Sequence, residues 1–350
     1  MREIHEKKWN ELSSVWNEFY EKNLTATPFQ SYKFLTFTKK GKPYRKDLFR
    51  LIGVREWNLM LYDDGKPVAI APLLIKKVRE KHRVVLRGHY TVANQLDFIY
   101  GSWSYDDFKF LMDYIKEKLG RVSFLLDRIS EKTVTSEYLQ RYFSSEHFVR
   151  EECFSIPLAA DYDEWLKSLS RSARGNISTY YNRLEKDNQA WSFDAYCNQS
   201  LDKKLTKKLM HVYTDRFLSK NGIRLGFFRK TVSWLLHLYL IIDQMTRWMN
   251  RGEGNFHAVL NIRSDIAAFA SGLICRDKRI IVSRLAINSA YYRYGPGGVL
   301  ISSILRHLIA QNQSGAMTID ELDLSQGGQG GMSYKQTYGG QVHYCYVFYD

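Results

Sequence analysis

Cysteine is scarce in this sequence and is never closely paired. The chain of 350 residues contains four cysteines, and no two of them have the C-x-x-C spacing. This pattern argues against a disulfide framework and a zinc knuckle, and it is typical of proteins from a reducing compartment. Three of the cysteines lie in strand-like runs, where a thiol is usually buried: Cys153, Cys275 and Cys345.

Long apolar runs are also missing. The first residues, Met1–Lys8, are charged and contain no apolar signal region. The most apolar stretch, Trp234–Met245, is interrupted by polar residues and is too short to span a bilayer. We therefore predict a cytoplasmic protein without a transmembrane segment.

The signatures of several enzyme classes are absent as well. The sequence has no G-x-S-x-G nucleophile elbow, no Walker loop and no H-E-x-x-H metal motif. No histidine is paired with a nucleophile motif, and four of them lie in apolar, periodic segments that favour a structural role: His211, His237, His257 and His307. No metal ion is predicted.

What the sequence has in excess is positive charge. Its 51 Lys and Arg residues outnumber the 37 Asp and Glu residues, which gives a formal net charge of +14. The basic residues are spread along the chain, with clusters at Lys39–Lys46, Lys76–Arg87 and Arg171–Arg183. A positive field favours anionic ligands such as nucleotide cofactors, RNA or phospholipids. Because no recognisable nucleic-acid motif gathers these residues, a diffuse field is the first interpretation and RNA binding the second, and DNA is not expected.

The two halves of the chain share one order of predicted elements, namely a hairpin, a third strand, a helix and a further strand. With a length that exceeds one compact core, this repeat predicts an α+β protein with two domains, 1–148 and 149–350, each a mixed, mostly antiparallel sheet flanked by helices. In the first half we predict the hairpin Trp57–Tyr62 with Pro67–Ile75, the third strand Arg83–Leu86, the helix Asp106–Leu119 and the closing strand Val122–Leu126. In the second half the corresponding elements are the hairpin Phe256–Ile262 with Ala267–Cys275, the third strand Arg279–Ile287, the helix Val299–Ala310 and the closing strand Met317–Leu324. Between the halves we predict the helices Arg171–Asp187, Leu201–Leu218 and Thr231–Asn250.

A glycine-rich loop joins the third strand to the helix in the second half only. The loop, Tyr292–Leu300, contains Pro296, the only proline after Pro157. Glycines at a helix start leave backbone N–H groups open to an anion, which the helix dipole also attracts. The loop therefore predicts a phosphate site, with a plain helix-entry turn as the alternative. The residues assigned to this site are Arg293, Gly295, Gly297, Gly298, Val299 and Leu300.

Five short motifs follow one another along nearly the whole chain. They are Thr27–Ser31 after the first helix, Ala71–Leu73 at a strand end, the basic segment Ser170–Leu184, the Gly-Pro-Gly of Gly295–Gly297, and Asp323-Leu324 followed by Tyr334-Lys335. Their order resembles the GNAT-type N-acetyltransferases, in the tandem-domain group associated with bacterial cellulose and exopolysaccharide synthesis. The resemblance implies direct transfer of an acyl group from acetyl-CoA or another acyl-CoA to an amine of a small or glycan-linked acceptor. Neither a metal nor a covalent enzyme intermediate is implied.

The same resemblance implies roles for residues near the loop. The strand Ser283–Asn288, with Ala286 and Asn288, would pair with the pantetheine arm, and one of its N–H groups would polarise the acyl carbonyl. Asp323, with Glu321 on the same strand face, would take the proton of the attacking amine. A solvated acidic strand end is the equally weighted alternative for both carboxylates.

Three further side chains are candidates for the site. Tyr334 and Lys335 follow the glycine run Gly327–Gly331, which is typical of a mobile loop near a site. Tyr334 would protonate the departing thiolate, and Lys335 would bind phosphate or a substrate carboxylate. Arg174, on the basic segment, would dock a phosphorylated substrate. A packed tyrosine, a surface lysine and a solvated helix face are the respective alternatives.

A second resemblance implies a different donor. The segment Lys335–Gly340 is similar to the ends of the Fem peptidyltransferases, which have a related two-domain fold and use aminoacyl-tRNA to extend peptidoglycan precursors. The net charge of +14 suits tRNA as a partner. A binding or scaffold protein without catalysis is the third interpretation.

Overall fold

The computed structural model describes residues 1–40, 53–89, 93–220, 254–326 and 334–350. The predicted helix Thr231–Asn250 and the glycine run Gly327–Gly331 lie outside these residues. The chain forms two compact units, of which the first combines Met1–Glu152 with His343–Asp350 and the second is Cys153–Val342. The end of the chain thus returns to the first unit, a connection that the repeated order of elements did not contain.

The first unit holds a mixed sheet with helices. Its strands are β1 (Arg2–Lys7), β2 (Val54–Asp63), β3 (Lys66–Val78), β4 (Lys81–Leu86), β5 (Ile99–Tyr100), β6 (Val122–Ser130) and, from His343 onward, β13 (Gln341–Tyr349), and its helices are α1 (Ser13–Lys22), α2 (Tyr32–Lys40), α3 (Tyr105–Leu119) and α4 (Val134–Tyr142). The order across the sheet is β1-β2-β3-β4-β6-β13, with β5 on β3. Only β4 and β6 run parallel among these pairs.

Local sequence explains the best-defined elements of this unit. The predicted turn between β2 and β3 has positive φ at both Asp64 and Gly65, which matches the twist of a tight hairpin. Helix α3 begins with a capping box, in which the Ser104 side chain accepts from the Asp107 N–H and Asp107 bonds back to Ser104. The hairpin and the helix were both predicted because their signals are local.

In the first unit, the segment that follows β4 contacts the end of β6 through its backbone. Parallel pairing of β4 and β6 ends at Val85 and Leu125. Further along β6, the carbonyl oxygen of Arg128 accepts from the Leu96 N–H at 3.1 Å, and the Arg128 guanidinium donates to the Ala93 carbonyl oxygen at 2.5 Å. The segment that follows β4 is therefore fixed to β6 by hydrogen bonds.

The second unit has the same mixed character. Its strands are β7 (Phe148–Pro157, from Cys153 onward), β8 (Trp191–Cys197), β9 (Asn255–Ile262), β10 (Asp265–Ile274), β11 (Arg279–Ile287) and β12 (Glu321–Gln326), and its helices are α5 (Tyr162–Ser168), α6 (Arg171–Lys186), α7 (Lys203–Lys220) and α8 (Pro296–Gln313). The order across the sheet is β7-β12-β11-β10-β9-β8. β11 and β12 run parallel, and the other described neighbours run antiparallel.

Helix α8 is the centre of this unit's core. Val299 and Leu300 are completely buried and pack with Ile280 and Val282 of β11 in one hydrophobic cluster. Burying such aliphatic side chains stabilises the fold by about 1.5–3 kcal/mol each. Val299 and Leu300, which were assigned to the predicted phosphate site, therefore lie in the core beneath the start of α8. Among the described helices, none is long and apolar enough to cross a membrane.

Candidate functional site

Strand β11 carries an extra residue where it faces β10. The register shifts between Ser271 and Gly272 of β10, which leaves Ser283 of β11 without a partner. Such a bulge bends the strand and changes the direction of its backbone groups. Gly272 permits this approach, because a Cβ at that position would lie 2.2 Å from the carbonyl oxygen of Ile281.

On its other side β11 separates from β12. Parallel pairing ends at Ile281 and Asp323. Beyond this pair, Ser325 has a positive φ of 59° and donates its hydroxyl to the carbonyl oxygen of Val282 at 2.8 Å. The two strands therefore open as a V beside the bulge at Ser283.

The hydroxyl of Ser283 lies at this opening. It is buried and has no hydrogen-bond partner among the described residues. The carbonyl oxygen of Ser283 accepts from the guanidinium of Arg284 at 2.6 Å. A buried hydroxyl without a partner is destabilising, so this group has an unused donor for a polar atom of a ligand.

The glycine loop leads from β11 into α8. Gly295 has left-handed backbone angles (φ 54°, ψ 49°) and precedes Pro296, the first helical residue. The carbonyl oxygen of Gly295 already accepts from the N–H groups of Gly298 (2.9 Å) and Val299 (3.1 Å). The N–H of Gly295 donates to the carbonyl oxygen of Tyr292 at 3.0 Å. Two of the three glycines that were predicted to lend N–H groups to an anion, Gly295 and Gly298, therefore donate within the loop.

Two tyrosines pack against this loop. A Cβ on Gly298 would lie 2.5 Å from the hydroxyl oxygen of Tyr338 and 2.9 Å from the ring of Tyr180, and a Cβ on Gly295 would lie 2.4 Å from the Tyr180 ring. Burial raises the pKa of Tyr338, which keeps its hydroxyl protonated. Tyr338 therefore places a second donor near the start of α8. Tyr180 could not be predicted from a local motif, because its contact joins two helices far apart in the chain.

The predicted arginines are engaged in local contacts. The guanidinium of Arg293 forms an ion pair with Asp187 at 2.6 Å. Arg174 donates to the carbonyl oxygens of Lys167 and Leu169 at the end of α5, at 2.7 and 2.9 Å. Both side chains hold helix ends in place, and ligand binding by either one would require these contacts to break.

Ala286 and Asn288 support the end of β11. Ala286 is fully buried and stands opposite Phe269 of β10. The side chain of Asn288 accepts from the Ala290 N–H at 3.1 Å and donates to the Ile266 carbonyl oxygen at 3.3 Å. The backbone of Asn288 is also bonded within the chain, because its N–H donates to the Ala267 carbonyl oxygen at 2.8 Å and its carbonyl oxygen accepts from the Tyr291 N–H at 3.1 Å.

The two predicted carboxylates have different surroundings. Asp323 is completely buried, accepts from the Ser325 N–H at 2.6 Å and lies 3.9 Å from the Arg279 guanidinium. Glu321 is partly exposed and stands beside Arg279 at the closed end of the V. Asp323 thus lies near the opening but is enclosed. Glu321 is accessible but lies at the start of β12, away from the opening.

Lys335 closes the end of β12. Its ammonium donates to the carbonyl oxygens of Leu324, Ser325 and Gln326, with a distance of 3.0 Å to the Ser325 oxygen. Burial lowers the pKa of Lys335 to about 8, and the negative charge of Asp323 opposes this shift. The predicted ligand-binding lysine therefore fixes the backbone that turns away from β11.

Tyr334 stands next to this lysine and is 48% exposed, so a substrate can reach it. Partial burial raises the pKa of its hydroxyl, and the positive charge of Arg216 on α7 opposes the increase. Tyr334 is therefore protonated at neutral pH.

No family model and no curated protein sequence matches this chain. The structure is nevertheless similar to solved structures over its full length. A conserved protein of unknown function from Bacteroides thetaiotaomicron has a TM-score of 0.55 at 10% identity, with 100% of both chains covered. A tandem GNAT protein from the clavulanic acid biosynthesis pathway has a TM-score of 0.53 at 10% identity, covering 100% of this chain and 98% of that chain. FemX has a TM-score of 0.51 at 11% identity, covering 98% of this chain and 96% of its own.

The fold is that of tandem GNAT proteins. The predicted class, α+β with two GNAT-like mixed-sheet lobes, is confirmed. At these identities the likeness concerns the fold alone.

Proposed function

We propose that this protein is an acyl-CoA-dependent N-acyltransferase whose second unit holds the acyl donor. The observation that carries this proposal is the bulge at Ser283 beside the point where β11 and β12 separate. An open strand edge can pair with the amide groups of an extended chain, and pantetheine is such a chain. The start of α8, at the end of the same strand, suits a diphosphate.

The side chains at the V fit such a donor. The N–H of Gly297 and the hydroxyl of Tyr338 would face the diphosphate end, and the hydroxyl of Ser283 would face the acyl end. A CoA thioester supplies an acyl carbon that is already activated toward amines. The chain's contribution would be to orient that carbon and to stabilise the oxygen on which charge develops.

The amine loses one proton during the proposed transfer. As the amine nitrogen bonds to the acyl carbon, the C–S bond breaks, and the proton lost by the amine neutralises the thiolate through water. Because the pKa of Tyr334 is raised, we assign it a hydrogen bond to the departing sulfur rather than proton transfer. We assign Asp323 to holding Ser325 in its turn, because its carboxylate is enclosed.

The acceptor follows from the ordered motifs and remains part of the proposal. We infer an amine on a small or glycan-linked molecule, such as an amino sugar, and membership of the exopolysaccharide-associated group. The motifs that support this inference are those from Thr27–Ser31 to Tyr334-Lys335. The reaction would take place in the cytoplasm.

One observation favours a second candidate, a Fem-like transfer from aminoacyl-tRNA. Helix α7 exposes a row of lysines, and none of them forms an ion pair with a carboxylate of the described residues: Lys203, Lys204, Lys207 and Lys208. A row of this kind attracts a phosphate backbone, and binding through it would weaken steeply with salt.

Titration calorimetry and thermal shift with acetyl-CoA, longer acyl-CoAs and free CoA test the proposal. We expect one site per chain and a higher melting temperature with acetyl-CoA, because a ligand that binds only the folded state stabilises it. No response to any CoA compound would overturn the proposal. Salt-sensitive tRNA binding without CoA binding would instead support the Fem-like candidate, and failure of both would leave a binding or scaffold protein.

A further inference from the structure

The first unit contains a cationic cleft that has no part in the proposed acyl transfer. Its volume is about 870 Å³, and it lies where β4 and β6 begin. The charged side chains that line it are Arg79, Glu80, Lys81, Arg83 and Arg121. Four cations against one carboxylate leave an excess of positive charge, so the cleft is suited to an anion.

The sheet fixes these cations on one face. Arg83 of β4 stands beside Ser123 of β6, and Lys81 stands opposite Val78 of β3. Paired residues share a face, and so do residues two apart, so Lys81 and Arg83 point to the same side. Arg121 precedes Ser123 by two residues, and its carbonyl oxygen accepts from the His82 N–H at 2.8 Å. The strand register, rather than a chance meeting of long side chains, brings the cations together.

This arrangement is unfavourable without an anion. Arg83 stands opposite Lys76 of β3, and like charges at directly opposite positions of neighbouring strands repel. Glu80 forms an ion pair with Arg121, but the two side chains are 78% and 72% exposed, so the pair compensates little. Asp350 is a further acid beside the cleft, where its side chain accepts from the Phe124 N–H at 2.8 Å and its main-chain oxygen accepts from the Ser123 hydroxyl at 3.0 Å. The three arginines and Lys81 therefore carry more charge than their neighbours neutralise.

We propose that this cleft binds a small molecule with a diphosphate group, of the class of nucleoside diphosphates. Guanidinium groups match pairs of phosphate oxygens, and Arg83 lies on β4 while Arg121 directly precedes the neighbouring strand β6. The volume of about 870 Å³ lies within the usual range of small-molecule sites and exceeds what an inorganic anion needs. The side chain of Val78 adds an apolar surface for the remainder of the ligand.

Calorimetry of the full chain with ADP, UDP, inorganic pyrophosphate and inorganic phosphate tests this site. We expect ADP or UDP to bind, with pyrophosphate weaker and phosphate weakest. Arg83→Gln and Arg121→Gln should each reduce nucleotide affinity by about tenfold or more, as expected for the loss of a charge-assisted contact. Lys66→Gln is the matched control, because it removes the same charge at the opposite end of β3, and it should change affinity by less than about twofold.

Thermal melting separates binding from folding. Without ligand, Arg83→Gln and Arg121→Gln should melt at or above the temperature of the unsubstituted protein, because each relieves repulsion in the cleft. A lower melting temperature together with unchanged nucleotide affinity would mean that the arginines are structural, and it would overturn the proposal. Absence of binding by all four probes at about 1 mM would overturn it as well. An equal loss of affinity in Lys66→Gln would show a diffuse field in place of a site.

Discussion

The hydroxyl of Ser325 donates to the carbonyl oxygen of Val282 at 2.8 Å, across the point where β11 and β12 separate. The next residue of β11, Ser283, has a buried hydroxyl without a partner among the described residues. Of the two serines on opposite sides of this opening, Ser325 has a bonded hydroxyl and Ser283 has an unbonded one within the described part of the chain. This difference makes them a matched pair for mutation.

Removing each hydroxyl should have opposite effects on stability. Ser325→Ala loses a hydrogen bond and should lower the free energy of unfolding by about 1 kcal/mol. Ser283→Ala removes an unsatisfied group and should leave that free energy unchanged or raise it by up to about 1 kcal/mol. Urea denaturation measures both values. Equal destabilisation by the two variants would contradict this account of the V.

The same Ser283→Ala variant tests the acyl end of the proposed donor site. If the hydroxyl bonds to the thioester carbonyl, affinity for acetyl-CoA should fall by about fivefold, whereas affinity for free CoA should not change. Calorimetry with the two ligands gives the ratio. A parallel loss for both ligands would place Ser283 away from the acyl group.

Gly298 is expected to be intolerant of a side chain for packing reasons alone. In Gly298→Ala the new Cβ would meet Tyr338 and Tyr180, and overpacking of this kind typically destabilises by about 1–3 kcal/mol. Gly175→Ala, on α6, is the control, because nothing lies within 4 Å of its Cβ. That substitution should stabilise by about 0.5–1 kcal/mol through helix propensity. Similar thermal shifts in the two variants would rule out the tyrosine packing.

Lys335 should make stability depend on pH above neutrality. Burial lowers its pKa to about 8 in the folded protein, whereas an unfolded lysine titrates near 10.4. Between these values the unfolded chain binds more protons, so the free energy of unfolding should rise with pH, by about 3 kcal/mol in total. Below pH 8 the buried ammonium is charged in both states, and this gain is absent.

Denaturation of the unsubstituted protein and Lys335→Met across pH 7.5–10 isolates this effect. Over that range the free energy of unfolding of the unsubstituted protein should rise relative to that of Lys335→Met. Lys66→Met, which removes an exposed lysine, should follow the unsubstituted protein. A fall in relative stability above pH 8 would show that the three carbonyl contacts favour the ammonium more than burial opposes it.

Local signals in the sequence predicted much of the fold. Strand β11 was predicted with its observed bounds, because its mainly apolar run ends at the polar residues Asn288 and Ser289. Helix α8 begins at Pro296, three residues before the prediction, since proline fits the first helical turn. Strand β8, an edge strand without a fully buried residue, was missed although Trp191–Asp194 alternate between apolar and polar side chains.

The site was harder to predict, because its chemistry depends on contacts between distant segments. The motif identified the start of α8, but it could not show that the carbonyl oxygen of Gly295 occupies two of the N–H groups. Arg293 and Arg174 were chosen for their charge, and their partners are a carboxylate and backbone carbonyls elsewhere in the fold. The bulge at Ser283 leaves no mark in composition, since it is a property of strand register.

The return of β13 to the first unit affects the order in which the chain can fold during synthesis. Phe348 is fully buried and packs against Phe143 and Phe148, and Cys345 pairs with Ser130 of β6. The ribosome makes all of these partners before the second unit and makes Phe348 after it. The first unit therefore emerges with one side of its sheet unpaired and must wait, with β6 as an open edge, until the second unit has been translated.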